Sequence, residues 1–471
     1  MSRSAHPAGP RHADVLPEPH VGAPPRDGHA LDPTIWPQTA ERVDGVLHLG
    51  GTAVTELVER YGTPALFLDE HDVRQRARAF ASAFHDSDVY YAGKAFLCTR
   101  FARWIAEEGL HLDVCTGGEL GIALAAGFPP ARLALHGNNK SVAELQRALA
   151  AGVGTIVLDS FIEIERLAAL AAAAGVRQRV LIRVTVGVEA HTHEFIATAH
   201  EDQKFGFSLR GGDALRAADA VLRSPALELA GLHSHIGSQI FETDGFEVAA
   251  HRVVALAAQI RDQFGVPVEQ FDLGGGLGIA YVEGDEPRAP KQIADRLREI
   301  VVRECAASGL PVPRLAIEPG RAIVGPSTVT VYQVGTVKPV ALSDSDLAVR
   351  SYVSVDGGMS DNIRTALYDA AYTVTLANRV SAAAPVLSRV VGKHCESGDI
   401  VVRDAWLPAD LAPGDLLAVA ATGAYCRSMA SNYNQIPRPP VVSVREGRST
   451  VLIRRETEDD LLRLDGGFGD E

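Results

Sequence analysis

No uninterrupted apolar run in this 471-residue sequence approaches the length that crosses a bilayer, and the basic groups among residues 1–14 have no apolar stretch behind them. Neither a membrane protein nor an exported one is expected. Cysteine is sparse: Cys98, Cys115, Cys305, Cys395 and Cys426 are an odd number with no CxxC pair, which argues against a disulfide framework and fits a reducing cytoplasm. Blocks of one charge sign are also missing. The 45 Lys and Arg are interspersed with 59 Asp and Glu for a net charge of -14, so neither nucleic acid nor an anionic membrane is the expected partner. What the chain does have is 46% hydrophobic residues spread over its whole length, enough for more than one core, and two domains are expected.

Residues 5–38 are rich in Pro, His and Gly without periodicity, so 1–38 reads as a flexible N-terminal segment. From 70 to 325, short apolar runs alternate with Ala/Leu/Glu/Arg-rich helical stretches, the pattern of repeated βα units. Strands are expected at 89–93, 111–115, 132–136, 155–158, 179–186, 230–235, 270–273 and 314–318. Helices such as 118–126, 142–151, 161–174 and 246–264 fall between them, with Gly152, Gly175 and Gly265 as stops. Eight strands with helical crossovers predict a TIM barrel. From 326 to 471 the texture turns Val-rich and alternating, at 328–337, 348–355, 385–391, 400–402, 416–419 and 441–444, which predicts an antiparallel β domain. Strands at 46–49 and 66–68 make 39–69 an N-terminal contribution to that domain.

Most barrel runs end in or lead to a reactive side chain: Lys94, Asp113, His136, Asp159, His235, Asp272 and Glu318. Barrel enzymes build their sites at the C-terminal ends of strands, although Asp or His there also serves as a turn or helix cap. Lys94 ends Tyr90-Tyr91-Ala92-Gly93-Lys94, where desolvation would free its amine to attack a carbonyl; an isolated lysine is ordinarily just solvated, so its company matters. Asp272-Leu273-Gly274-Gly275-Gly276-Leu277-Gly278 follows the seventh strand and is either a phosphate cradle or a flexible turn. Glu318-Pro319-Gly320-Arg321 sets a carboxylate at the barrel mouth, suited to a protonated ring nitrogen or to an ion pair with arginine. In His233-Ser234-His235-Ile236-Gly237-Ser238, strand alternation points both histidines one way. They suit a metal, or one imidazole laid on a ring with a Ser on a phosphate. No matching ligand set stands out elsewhere in the sequence, which favours the second reading. Beyond the barrel, Lys393-His394-Cys395-Glu396 carries a thiol beside a carboxylate, an inert loop cysteine unless it is held where it can deliver a proton.

Together these motifs resemble the fold-type III pyridoxal phosphate (PLP) dependent decarboxylases, which share their barrel with alanine racemase, and the likeness spans residues 46–444. The finer match is to the diaminopimelate decarboxylases. It rests on Tyr91-Ala92-Gly93-Lys94-Ala95, Thr116-Gly117-Gly118-Glu119-Leu120, His136-Gly137-Asn138-Asn139-Lys140-Ser141, His193-Glu194-Phe195-Ile196 and Gln203-Lys204-Phe205-Gly206. The resemblance implies an α/β plus β fold: a PLP-binding (β/α)8 TIM barrel with a discontinuous C-terminal antiparallel β-barrel or sandwich domain. It implies decarboxylation of meso-diaminopimelate to L-lysine and carbon dioxide, the last step of lysine biosynthesis, with PLP as cofactor and no metal. By resemblance Lys94 carries the cofactor, His235 stacks on its ring, Glu318 meets its pyridine nitrogen, Ser238, Gly274, Gly275, Gly276 and Tyr425 hold its phosphate, and Cys395 returns a proton. Arg321, Arg364, Tyr368, Glu396 and Tyr425 match positions that grip the distal end of the substrate, where arginines suit a carboxylate and Glu396 an ammonium. A diamine-forming enzyme has no distal carboxylate for them to bind.

The resemblance also implies a homodimer in which Cys395, Glu396 and Tyr425 reach a neighbouring subunit's site. Two departures, Phe96 where relatives often carry Asn and Gly357-Gly358 for a frequent Ala-Gly, read as packing variants. The loop from His191 to Lys204 has the length and polarity of a lid. Alternatives are a decarboxylase of ornithine, arginine, carboxynorspermidine or a carrier-bound amino acid, a metal-dependent barrel hydrolase using His233 and His235, and an inactive regulator; intact Lys94, Glu318 and Cys395 speak against the last.

Overall fold

The structure is a computed structural model that describes residues 24–187, 204–341 and 349–467. The expected lid, apart from Lys204, and the motif residues His193, Glu194, Phe195, Ile196 and Gln203 lie outside the described residues. The chain divides into two compact units, one of residues 74–279 and 286–323, the other of the flanking segments together with 280–285.

In the first unit the continuous apolar runs become eight parallel strands: β1 Asp88–Ala92, β2 His111–Val114, β3 Leu133–Leu135, β4 Thr155–Leu158, β5 Gln178–Thr185, β6 Leu227–His233, β7 Gln270–Asp272 and β8 Arg314–Ile317. Each pairs with the next, β8 returns to β1 with Ala316 opposite Asp88, and so the ring closes. A parallel strand covered on both faces has no polar side to show. Accordingly β3 (LAL) and β4 (TIVL) are buried at every residue. The intervening helices stop where expected, Val142–Ala151 at Gly152 and Phe161–Ala174 at Gly175, both in the left-handed conformation. Ser141 and Glu144 form a capping box at the start of the first of these, satisfying amide groups that the helix cannot pair internally.

The second unit is built on a sheet ordered Ile400–Pro408, Pro385–Val391, Val349–Val355, Thr328–Ala341, Ala65–Asp69, Val441–Arg445, Arg448–Ile453, with Leu416–Val419 also paired to Thr328–Ala341 and Val374–Leu376 to Leu416–Val419. Most pairings are antiparallel, as alternation suggested. Two are parallel, Val349–Val355 with Pro385–Val391 and Ala65–Asp69 with Val441–Arg445, so the sheet is mixed. Parallel neighbours need a long connection, and the second pair is joined through residues 70–440, which include the whole barrel. The strand expected at 46–49 joins a separate three-stranded sheet, Glu41–Val43, Val46–Leu49 and Thr52–Ala53. Its Leu47 and Leu49 share one core with Phe67, Val329, Ala418 and Val442.

The N-terminal segment expected to be flexible needs correcting where it is described. Asp32 accepts from the backbone of Thr34, Ile35 and Trp36 in a single turn, and Ile35 and Trp36 are buried in the second unit's core, Trp36 at 1% exposure. One turn flanked by prolines carries no periodicity, so sequence pattern could not mark it as an anchor. None of the described helices is long and apolar enough to cross a membrane.

The anchor can be weighed directly. Trp36→Ala is expected to cost about 3–5 kcal/mol through the void it leaves, read as a lowered denaturation midpoint.

Candidate active site

At the barrel mouth, β1 runs into a single turn, Gly93–Ala95, that presents Lys94 to solvent. The loops after β6, β7 and β8 are laced together. Glu318 N donates to Gly274 O at 2.9 Å, Gly275 N donates to His235 Nδ1 at 3.3 Å, and Arg321 Nη2 donates to Ser238 Oγ at 2.8 Å. Gly275 is required by close approach: a Cβ there would lie 2.3 Å from Glu318 O. β6 ends at His233, so the alternation expected to carry both histidines one way stops short of His235. His233 points to Glu318, whereas His235 turns to the glycine loop.

Three carboxylates, those of Asp113, Asp272 and Glu318, are buried here. Burial pushes Asp113 and Asp272 well up, and the charge of Glu318 adds to it. Burial opposes ionisation of Glu318 too, but His136, His233 and Lys94 outweigh it and hold that carboxyl well below its ordinary range. Burial in turn lowers His136 and His233, against the Glu318 charge that raises them. Their Nε2 atoms lie 3.2 and 3.1 Å from Glu318 Oε1, yet neither is aligned as a hydrogen bond, and Oε1 is left a buried acceptor without a partner. The arginine pairing considered for Glu318 is not what surrounds it. His235 is driven down to about 3 by burial and by the Lys94 ammonium, so its ring is neutral.

The sequence reading found no second ligand set to accompany a histidine metal site, and this is corrected. His136, His233 and Glu318 bring one potential ligand atom each within 4.8 Å of one another. His136 comes from the end of β3, far from β6 in sequence, which hides the cluster from any spacing argument.

The remaining candidates belong to the second unit. Arg364 begins the short helix Arg364–Tyr368 and is buried, its Nη1 donating to the Tyr372 hydroxyl. Among the described residues no carboxylate pairs with it. Tyr368, at the far end of the same helix, is 59% exposed beside Leu367. Residues 392–399 form a tight turn: Asp399 accepts from His394 N at 2.8 Å and from Met359 N at 2.6 Å, and Asn434 Oδ1 accepts from Cys395 N at 3.2 Å. Cys395 is thereby held exposed at its tip, with Glu396 accepting from Gly398 N at 3.2 Å. Tyr425 takes a left-handed backbone, φ 61°, and is partly exposed. Gly357 is more than a packing variant, since a Cβ there would lie 2.1 Å from Asp361 Oδ2 and 2.3 Å from the Tyr332 ring. Phe96 is an ordinary core residue packed edge-on to Phe101. Sequence reasoning missed Tyr281, Tyr372 and Asn434, which meet their partners through turns and long-range contacts and leave no local signal.

A family profile described as pyridoxal-dependent decarboxylase, pyridoxal binding domain, matches residues 70–325. The diaminopimelate decarboxylase of Mycobacterium tuberculosis is 58% identical over 441 residues, covering 92% of this chain and 98% of the relative. That of Bacillus subtilis is 46% identical over 428 residues, covering 90% and 96%. The chain belongs to the diaminopimelate decarboxylase family. Among solved structures, the family member from M. jannaschii superposes with a TM-score of 0.84 at 29% identity over 91% of this chain and 98% of its own. The Helicobacter pylori member complexed with L-lysine superposes with a TM-score of 0.78 at 30% identity over 88% and 99%.

The barrel-mouth residues of this family member fit pyridoxal phosphate. A protonated pyridine nitrogen matches the ionised, partnerless Glu318 Oε1, the side-chain-free loop 274–276 matches a phosphate, and Lys94 offers an amine to the aldehyde. A metal on the histidine cluster would leave the lysine and the glycine loop without a use.

Gly275→Ala should displace Glu318 and the loop together. Cofactor affinity, followed by absorbance during dialysis, is expected to fall at least about tenfold, the order of one lost hydrogen bond to a charged group.

Proposed function

We propose that this chain decarboxylates meso-diaminopimelate to L-lysine and carbon dioxide with the residue roles that follow, and that the barrel segment 70–325 carries all the cofactor residues but Tyr425 while 39–69 and 326–471 supply the β domain. The observation that carries the substrate reading is Arg364, a buried guanidinium whose described neighbours are a hydroxyl and aromatic rings but no carboxylate. A carboxylate on the ligand completes it.

When bound, pyridoxal phosphate supplies an electron sink for the pair left behind as carbon dioxide departs. Lys94 Nζ would hold the cofactor through its amine. Glu318 would keep the ring nitrogen protonated, His235 would offer a neutral ring to the cofactor, and 274–276 with Ser238 and Tyr425 would hold the phosphate. Arg321 bonds to Ser238 and so ties the phosphate loop to the substrate side. Arg364 takes the distal carboxylate, Glu396 the distal ammonium, and Tyr368 and Tyr425 line that end. Cys395 Sγ, exposed on its turn, delivers the proton that replaces carbon dioxide.

A homodimer with composite sites is part of the same proposal. Exposed Leu367 and Tyr368 next to Arg364, and the exposed Cys395, suit a surface completed by a second copy. A cytoplasmic setting suits five free cysteines. The second reading, a metal hydrolase, is favoured only by the His136, His233 and Glu318 cluster.

Lys94→Ala is expected to release no lysine from meso-diaminopimelate while remaining folded; appreciable lysine from that variant refutes the mechanism. Cys395→Ala should slow product formation about a hundredfold or more, within the range of a lost proton donor. Mixing the two inactive variants under conditions of subunit exchange should restore activity, and no rescue counts against shared sites. Dialysis against EDTA should leave activity intact and borohydride should abolish both activity and the yellow colour. A colourless, chelator-sensitive enzyme would instead favour the metal.

A further inference from the structure

Arg364 is not merely buried but gripped. The Tyr372 hydroxyl accepts from Arg364 Nη1 and donates to Asn362 Oδ1 at 3.4 Å, and Asn362 Oδ1 also accepts from Arg364 N at 3.2 Å. Arg364 Cζ lies 4.8 Å from the centroid of the Tyr281 ring and 5.5 Å from that of Tyr372, and the two rings meet edge to face at 5.2 Å and 81°. Burial raises the Tyr372 hydroxyl well above its ordinary range, so it stays protonated and keeps its donor. A guanidinium lying along two aromatic faces, with one edge committed to a hydroxyl, has little freedom to turn. That restriction suits bidentate recognition of a planar carboxylate. Tyr281 comes from residues 280–285, directly after the glycine-rich loop in the chain.

We propose that Tyr372, together with Tyr281, is a positioning residue that fixes the Arg364 guanidinium for the distal carboxylate and so sets the preference for a ligand ending in an amino acid over one ending in a bare amine. This rests on the reading that Arg364 meets that carboxylate. The acting edge belongs to arginine; the tyrosines supply its orientation.

The test is competitive inhibition of the holoenzyme by L-lysine, which keeps the distal carboxylate, and by cadaverine, which lacks it. Tyr372→Phe retains the ring and removes only the hydroxyl. It is expected to weaken lysine roughly tenfold, the order of one hydrogen bond to a charged group, and to raise KM for meso-diaminopimelate similarly, with kcat within about twofold and cadaverine unchanged. Tyr281→Leu should move the same ratio in the same direction. Equal weakening of both inhibitors, or no change in either, overturns the proposal. Arg364→Gln separates the two levels. If it erases the preference for lysine while Tyr372→Phe does not, the positioning role fails and the Arg364 assignment stands. If it leaves the preference intact, the Arg364 assignment fails and the proposal with it.

Discussion

A carboxylate that stays ionised where water scarcely reaches it sets the terms for the barrel mouth. Glu318 is 5% exposed, and an uncompensated charge at such a position is strongly disfavoured. Two further carboxylates, Asp113 and Asp272, are buried close enough to feel it. Burial and the Glu318 charge push those two carboxyls well up, while His136, His233 and the Lys94 ammonium hold Glu318 well down. The glycine loop belongs to the same solution. Gly274 O takes the Glu318 amide, and the missing Cβ of Gly275 lets the two strand ends close on each other.

Much of the barrel was legible because parallel strands buried on both faces leave the plainest trace a sequence can carry. β4 was expected at the residues it occupies, and two helices, Val142–Ala151 and Phe161–Ala174, end at glycines that the sequence marks. The β domain was less legible for a physical reason. Alternation reports that a strand has one wet face and says nothing about the direction of its neighbour, so the parallel pairing of Ala65–Asp69 with Val441–Arg445 carries no local mark. Trp36 is the same lesson at smaller scale: a single turn can anchor a segment without any period to betray it.

The candidate site divides along similar lines. Lys94, Glu318 and the glycine loop stand immediately after strands, where chain order and fold class together locate them. The environment that decides their ionisation was hidden, because His136 and Asp113 come from other strands and meet Glu318 only once the ring closes. In the second unit, the turn that carries Cys395 was visible as a run of Gly, Ser and Asp. Its fastening was not, since Asn434 and Met359 lie on distant segments. Gly357 is instructive in the other direction: it looked substitutable, but Asp361 and Tyr332 occupy the space a side chain would need.

Glu318 and Arg364 also pose one question between them. Each is a buried charge: around Glu318 stand imidazoles, the Asp272 carboxyl and the Lys94 ammonium, and around Arg364 tyrosines with an asparagine and, among the described residues, no carboxylate. Burial opposes both charges, yet the surroundings outweigh it, holding the Glu318 carboxyl well down and the Arg364 guanidinium up, so both groups stay ionised in the fold. A charge kept in this condition is explained when a ligand supplies the counter-charge, a pyridinium for the carboxylate and a carboxylate for the guanidinium. The neutral neighbours then have a second effect, since groups that orient an ion without neutralising it leave its field available to the ligand.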